Sequence, residues 1–170
     1  RAVGEGYIEE SQLKKIGVLG LGAIGRSIAE SVRYNYSDAE IRLYDIREGL
    51  VARVAGKIGA VAAQSETEVI RKSEIIISAV TTFIDPKAIG LGRNDVEGKM
   101  IVDDSQPCSF DPKAVEKLGG HVAWVIGANG IERSSYDFGG SMANPTNEIF
   151  GCEAEAATMA AYYSEIKRDG

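Results

Sequence analysis

A short apolar run that ends in closely spaced glycines and opens directly into a helical pattern limits this chain more than any other feature. Lys15-Ile16-Gly17-Val18-Leu19 reads as a strand, Gly20-Leu21-Gly22-Ala23-Ile24-Gly25 follows without a gap, and Ile24, Ile28 and Val32 recur at helical spacing. The glycines of such a GxGxxG turn do different things. Gly20 makes the tight turn, Gly22 lets backbone approach a pyrophosphate, and Gly25 permits close helix packing. The start of the helix then turns free N–H groups and a positive dipole end toward phosphate. The whole segment Gly20 to Gly25, with Leu21, Ala23 and Ile24 between the glycines, is therefore expected to contact a dinucleotide.

Glu40 to Asp45 (EIRLYD) reads as the next strand, and Asp45 closes it 25 residues after Gly20. An acid there stands where the adenine ribose of a dinucleotide lies and can accept its hydroxyl groups. Its charge repels a 2′-phosphate, so NAD is the cofactor expected. Arg47, two residues on, can pair with such a phosphate if the loop turns back, which keeps NADP open; otherwise it is a solvated surface charge. Ile46 lies between them in the same adenosine-side segment.

Farther along, Leu50, Val51, Val54 and Ile58 mark a helix, Ala60 to Ala63 a short third strand, and SETEVIRKS a further helix. The unbroken apolar character of Ile75 to Val80 suits a central strand buried on both faces. Met100-Ile101-Val102 gives a fifth strand, Asp111-Pro112 an N-cap with a first-turn proline, and Val122 to Ile126 a sixth strand. Residues 127–144 are rich in glycine, serine and asparagine and read as loop, ahead of a last helix over 145–167.

Strands that alternate with helices need crossover connections. The expected fold is therefore α/β, a doubly wound and mostly parallel sheet of about six strands, the Rossmann arrangement. One domain over 15–170 accommodates it after a polar lead-in over 1–14. Because the chain starts at Arg1, it reads as a piece of a longer protein with a separate substrate domain elsewhere.

A formal net charge of −6 leaves no basic face with which to displace counterions, which argues against nucleic acid and anionic membranes as partners. No apolar run approaches the roughly 18 residues of a membrane span and no secretory-signal layout opens the chain, so a cytoplasmic setting is expected. With cysteines only at 108 and 152 and a single histidine, His121, a disulfide framework and a metal site both lack ligands.

In an open parallel sheet, ligands lie beyond the carboxyl ends of the strands. Three loops fall there. Ala79-Val80-Thr81-Thr82 offers small and hydroxylated residues to a nicotinamide ribose, although the same residues also suit an ordinary polar strand exit. Asp103-Asp104-Ser105-Gln106-Pro107-Cys108 follows the fifth strand, and a third loop starts at Gly127. Asp103 and Asp104 are candidates for proton transfer, since neighbouring acids raise one another's pKa; capping and turn formation are the alternative, and residues adjacent on a strand point to opposite faces. His121 precedes a strand at the end away from the site, which fits an exposed structural role.

On the last helix Ile149, Cys152, Ala156, Met159, Tyr163 and Ile166 form one apolar stripe, where Cys152 reads as a packing thiol. Phe150-Gly151-Cys152-Glu153-Ala154-Glu155-Ala156 also resembles the Phe-Ala-Cys-x-Ala-Glu-Ala segment of the cyanobacterial-type long-chain acyl-(acyl carrier protein) reductases, relatives of the shikimate-dehydrogenase-like nucleotide-binding proteins. Gly130-Ile131-Glu132 resembles that family's Gly-Val-Val-Glu. The resemblance implies that Cys152 accepts an acyl group as a thioester and that NADPH then releases an aldehyde. Under it the partners are a dinucleotide and an acyl-thioester substrate. The alternatives are a dehydrogenase of a small carbonyl or imino acid, with Cys152 only packing, and a nucleotide-sensing module without catalysis. Self-association into a homo-oligomer stays open.

Overall fold

The computed structural model describes residues 14–124 apart from Gln106. The lead-in, the loop over 127–144, the helix over 145–167, Gly130-Ile131-Glu132 and Cys152 lie outside the described residues, as does most of the expected domain's C-terminal third.

Within them, the strands are β1 (Lys15–Leu19), β2 (Glu40–Tyr44), β3 (Val61–Ala62), β4 (Ile75–Ser78), β5 (Met100–Asp103) and β6 (His121–Trp124). The helices are α1 (Ala23–Asn35), α2 (Glu48–Ile58), α3 (Glu66–Lys72), α4 (Arg93–Val96) and α5 (Pro112–Lys117). All strand pairs are parallel, in the order β3-β2-β1-β4-β5-β6. The order reverses direction beside β1, which places the crevice between the loops that leave β1 and β4. This is the doubly wound Rossmann sheet expected from the alternation of strands and helices.

Alternate residues of the central strands feed two cores, one per face. Ile16 and Val18 of β1 join Ile41 and Leu43 of β2 with Ala29 and Val32 of α1 and Val51, Val54 and Ala55 of α2. Leu19 joins Ile76 and Ile101 with Val69 and Ile70 of α3, Val96 of α4 and Val115 of α5. Gly17 is where α3 crosses β1: a Cβ there would strike the Val69 side chain and lie 2.7 Å from Ser73 Oγ.

The elements differ from the pattern in the sequence at several points, three of which have a clear cause. β4 ends at Ser78 rather than Val80, because β1 has already turned away at Gly20 and only Ala79 N–H still reaches Leu19 O, at 2.8 Å. β3 shrinks to two residues at the sheet edge. The one-turn α4 has too few residues to show a helical period; Asp95 holds its start by accepting from Gly92 N–H at 2.9 Å.

Arg33 fastens the end of the sheet opposite the glycine turn. Its Nε donates to Ile58 O at 2.9 Å, Nη2 to Gly59 O at 3.1 Å and Nη1 to Ala39 O at 3.0 Å. The orphan carbonyls at the end of α2 thus share one guanidinium with the entry to β2. Arg33→Ala should lower the unfolding free energy by about 1–3 kcal/mol. Urea denaturation reads this as a lower midpoint at unchanged slope, and an unmoved midpoint would mean water replaces these bonds at no cost.

Candidate functional site

The glycine turn forms because three stretches of backbone meet with no room for side chains. Gly20 has a φ of +83°, donates its N–H to Tyr44 O at 2.9 Å, and would place a Cβ 2.5 Å from Ala79 O. At Gly25 a Cβ would fall on the Gly20 carbonyl oxygen. These two glycines are required by the fold itself. Gly22 is not: its backbone is extended, with φ −62° and ψ −166°, and a Cβ there would meet nothing within 4 Å. Nothing among the described residues explains a glycine at that position, whereas a ligand held against the backbone does.

Gly22 is also the N-cap of α1, where no side chain caps the helix and no acid sits in the first turn. By contrast α3 is capped by Ser65 and α5 by Asp111. The first amides of α1 therefore stay open to an anion, over the space left at Gly22. Leu21 is fully buried and contributes packing rather than contact, while Ala23 is exposed and Ile24 is 59% exposed beside the turn.

Asp45 lies where the sequence places it, just past β2, and is nearly buried. Its Oδ2 accepts from Leu21 N–H at 2.7 Å and from Arg47 Nη2 at 2.8 Å; Oδ1 accepts from Arg47 N–H at 2.9 Å and Arg47 Nε at 2.7 Å. The Arg47 fork, outweighing burial, holds this carboxyl well below the usual carboxylate range. The loop does turn back, and the Arg47 side chain stays 58% exposed. Ile46, 87% exposed, stands beside it.

The loops after β4 and β5 run side by side. Ile84 N–H donates to Ser109 O at 2.7 Å, and Ile84 pairs with Phe110 in a parallel bridge. Ala79 and Val80 are half-buried against the glycine turn, and Thr81 and Thr82 are exposed. Asp103 and Asp104 part company: Asp104 is exposed, and Asp103 is 1% exposed inside the β5 loop. Burial raises the Asp103 pKa, but hydrogen bonds from Cys108, Ser105 and Ser109 outweigh it and the net shift is downward. Burial and the Asp103 carboxylate push the Cys108 thiol up to about 11. His121 is exposed at the start of β6, the far end of the sheet. The partners of Asp103, namely Cys108, Ser109 and through Ser109 also Ser78, are site residues that sequence pattern did not single out; a strand-end acid followed within seven residues by small donors is the signal that carried them.

Among the described residues no group of histidine, cysteine and acid side chains could hold a metal ion, and no helix is long and apolar enough to cross a membrane.

Residues 15–107, more than half of the chain, match the family described as NADP oxidoreductase, coenzyme F420-dependent. The chain belongs to that family. No curated protein matches it. Solved structures similar to it include a dipicolinate synthase subunit from Bacillus halodurans, with 18% identity and a TM-score of 0.57 over 72% of this chain and 41% of that one. Shikimate 5-dehydrogenase from Thermus thermophilus, solved with NADP(H) and shikimate, is similar at 23% identity and a TM-score of 0.54, over 72% of this chain and 46% of that one. An imine reductase from Bacillus cereus is similar at 16% identity and a TM-score of 0.52, over 64% and 39%. These likenesses show the fold, and this chain spans less than half the length of each.

The two kinds of glycine separate by experiment. Gly25→Ala should destabilise the domain severely, because the clash is with backbone. Gly22→Ala should keep thermal stability within about 1 kcal/mol of the parent yet weaken dinucleotide binding by about tenfold or more. Thermal unfolding and dinucleotide titration on both variants check this; equal loss of stability in the two would make Gly22 a packing glycine like Gly25.

Proposed function

We propose that this chain is the NAD(P)H-holding part of an oxidoreductase that delivers hydride to an acyl, carbonyl or imine carbon. The observation that carries the reading is Gly22, a glycine with no internal cause set under the uncapped start of α1. The α1 amides hold the pyrophosphate, Asp45 and Arg47 meet the adenosine ribose, and the loops from Ala79 to Thr82 and after Asp103 flank the nicotinamide. The chemistry the cofactor supplies when bound is hydride. Ile24 and Ile46, large apolar side chains left in water at the same end of the sheet, gain cover from the bound dinucleotide.

The sequence favours NAD because Asp45 should repel a 2′-phosphate. In the folded chain that charge is matched by Arg47, whose guanidinium keeps free N–H groups facing solvent. The reading best supported is a site that admits the 2′-phosphate and binds NADP(H) at least as well as NAD(H). The family description points the same way.

The substrate in this reading is a thioester or activated acyl group reduced to an aldehyde through Cys152. Cys152 attacks the acyl carbon, the carrier thiol leaves with the proton, and the enzyme thioester is the species reduced. Two things support it: the segment Phe150 to Ala156, and the state of Cys108, whose high pKa and engaged S–H leave Cys152 as the one other cysteine in the sequence. A second reading, reduction of a small carbonyl or imino acid without a covalent step, draws on Asp104, whose exposed carboxylate at the end of β5 is free to handle a proton or meet an amine.

Arg47→Ala should cost NADP(H) about tenfold or more in Kd and leave NAD(H) near its parental value; equal effects on both would remove the arginine from cofactor choice. Cys152→Ala, assayed in the whole parent protein, should abolish aldehyde formation from acyl thioesters. Full activity in that variant would hand the reaction to the non-covalent reading.

A further inference from the structure

We infer that Asp103 is a positioning residue whose enclosed carboxylate moulds the loop after β5 into one wall of the nicotinamide side and keeps the Cys108 thiol in that wall dormant. The inference rests on the dinucleotide reading only for what the wall faces; the moulding itself stands on the geometry.

One oxygen gathers most of the loop. Asp103 Oδ2 accepts from Ser109 N–H at 2.7 Å, Ser109 Oγ at 2.8 Å, Phe110 N–H at 3.1 Å and Cys108 Sγ at 3.1 Å, while Oδ1 accepts from Ser105 N–H at 3.0 Å. Five donors converge on this one carboxyl group, and only the ionised form, an acceptor on both oxygens, meets them all without bringing a donor of its own. Among the described residues no cation pairs with Asp103, in contrast to Asp45, which has Arg47. A carboxylate buried without a counterion is costly, and sheet pairing at the end of β5 does not require one. An uncharged residue would serve β5 equally well; what only the carboxylate provides is the placing of Ser105, Cys108, Ser109 and Phe110.

These residues are tied to their surroundings on three sides. Ser109 Oγ lies 2.8 Å from Ser78 Oγ at the end of β4, Ser109 O accepts from Ile84 N–H at 2.7 Å, and Trp124 Nε1 on β6 donates to Ser105 O at 3.0 Å. The residues that Asp103 organises thus connect the ends of β4, β5 and β6, next to the loop that touches the glycine turn. Cys108 Sγ lies 3.1 Å from Asp103 Oδ2 and 3.0 Å from Phe110 O, so its single S–H is shared between two acceptors and the thiol is held within the frame in the protonated, unreactive form.

An amide cannot replace this carboxylate. Turned so that its oxygen meets the four donors, the side chain introduced by Asp103→Asn would set its NH2 against Ser105 N–H; turned the other way, it would set donors against donors.

The test uses the full chain in a Cys152→Ser background, where Cys108 is the only cysteine and Trp124 the only tryptophan. Asp103→Asn should leave far-UV circular dichroism and cooperative unfolding intact, speed Cys108 alkylation by about tenfold or more, and shift Trp124 emission. It should weaken NADPH binding while sparing adenosine 2′,5′-bisphosphate, which fills only the adenosine half. Equal effects on the two ligands, or unchanged alkylation and emission in a folded variant, would overturn the inference. If Asp103→Asn does not fold, Ser109→Ala removes one donor and the Ser78 link and should give the same split to a smaller degree; no split there also overturns it. If the parent chain binds neither ligand, the dinucleotide reading fails on its own, and the alkylation and emission changes still decide whether Asp103 moulds the loop.

Discussion

The meeting of Gly20, Gly25 and Ala79 is the contact on which the arrangement turns. Backbone presses on backbone there: the Gly20 carbonyl occupies the place of a Gly25 side chain, and Ala79 O occupies the place of a Gly20 side chain. Because nothing can be inserted, the first turn of α1 is held against the exits of β1 and β4 at once. Those two strands are neighbours in the sheet, and the crevice between their exits is where the strand order reverses. A van der Waals constraint among small residues therefore sets where the open amides of α1 point, and so where an anionic ligand can be held.

Around that contact stand two nearly buried carboxylates, each at a strand end and each tying a loop to the sheet. They solve the problem of buried charge in opposite ways. Asp45 takes a guanidinium and the Leu21 amide, so the pair is neutral and its arginine remains partly in water. Asp103 takes only neutral donors and keeps its charge inside. The first solution leaves a cationic group facing solvent, as suits recognition of a ligand's phosphate. The second commits its charge to local shape, as suits a rigid wall.

Most of the fold was legible because its signals are local. The β1-turn-α1 junction is marked by three glycines at fixed offsets, and the period-2 and 3.6 patterns of the other elements declare which residues face a core. What escaped was whatever depends on a neighbour distant in sequence. Ile75 to Val80 reads as one strand, but β4 ends at Ser78 because β1 turns aside at Gly20. Arg33 reads as an ordinary helix charge; only folding brings Ile58, Gly59 and Ala39 to it.

The candidate site shows the same division at the level of single side chains. Asp45 was recognisable by its offset from the glycines, whereas its pairing with Arg47, which bears on how strongly it repels a 2′-phosphate, shows only in the folded chain. Asp103 and Asp104 are adjacent in sequence, and the alternation of a strand end was enough to separate them, but not to say which faced inward. Burial decided it: the enclosed acid is 1% exposed and engaged by the donors of its own loop, whereas the other is exposed. Proton transfer and loop shaping make incompatible demands on one carboxylate, since the first needs its proton affinity to vary within reach of substrate and the second needs a constant charge. Asp103, enclosed by the donors of its loop, fits the second demand, and Asp104, exposed beside it, keeps its oxygens open to solvent.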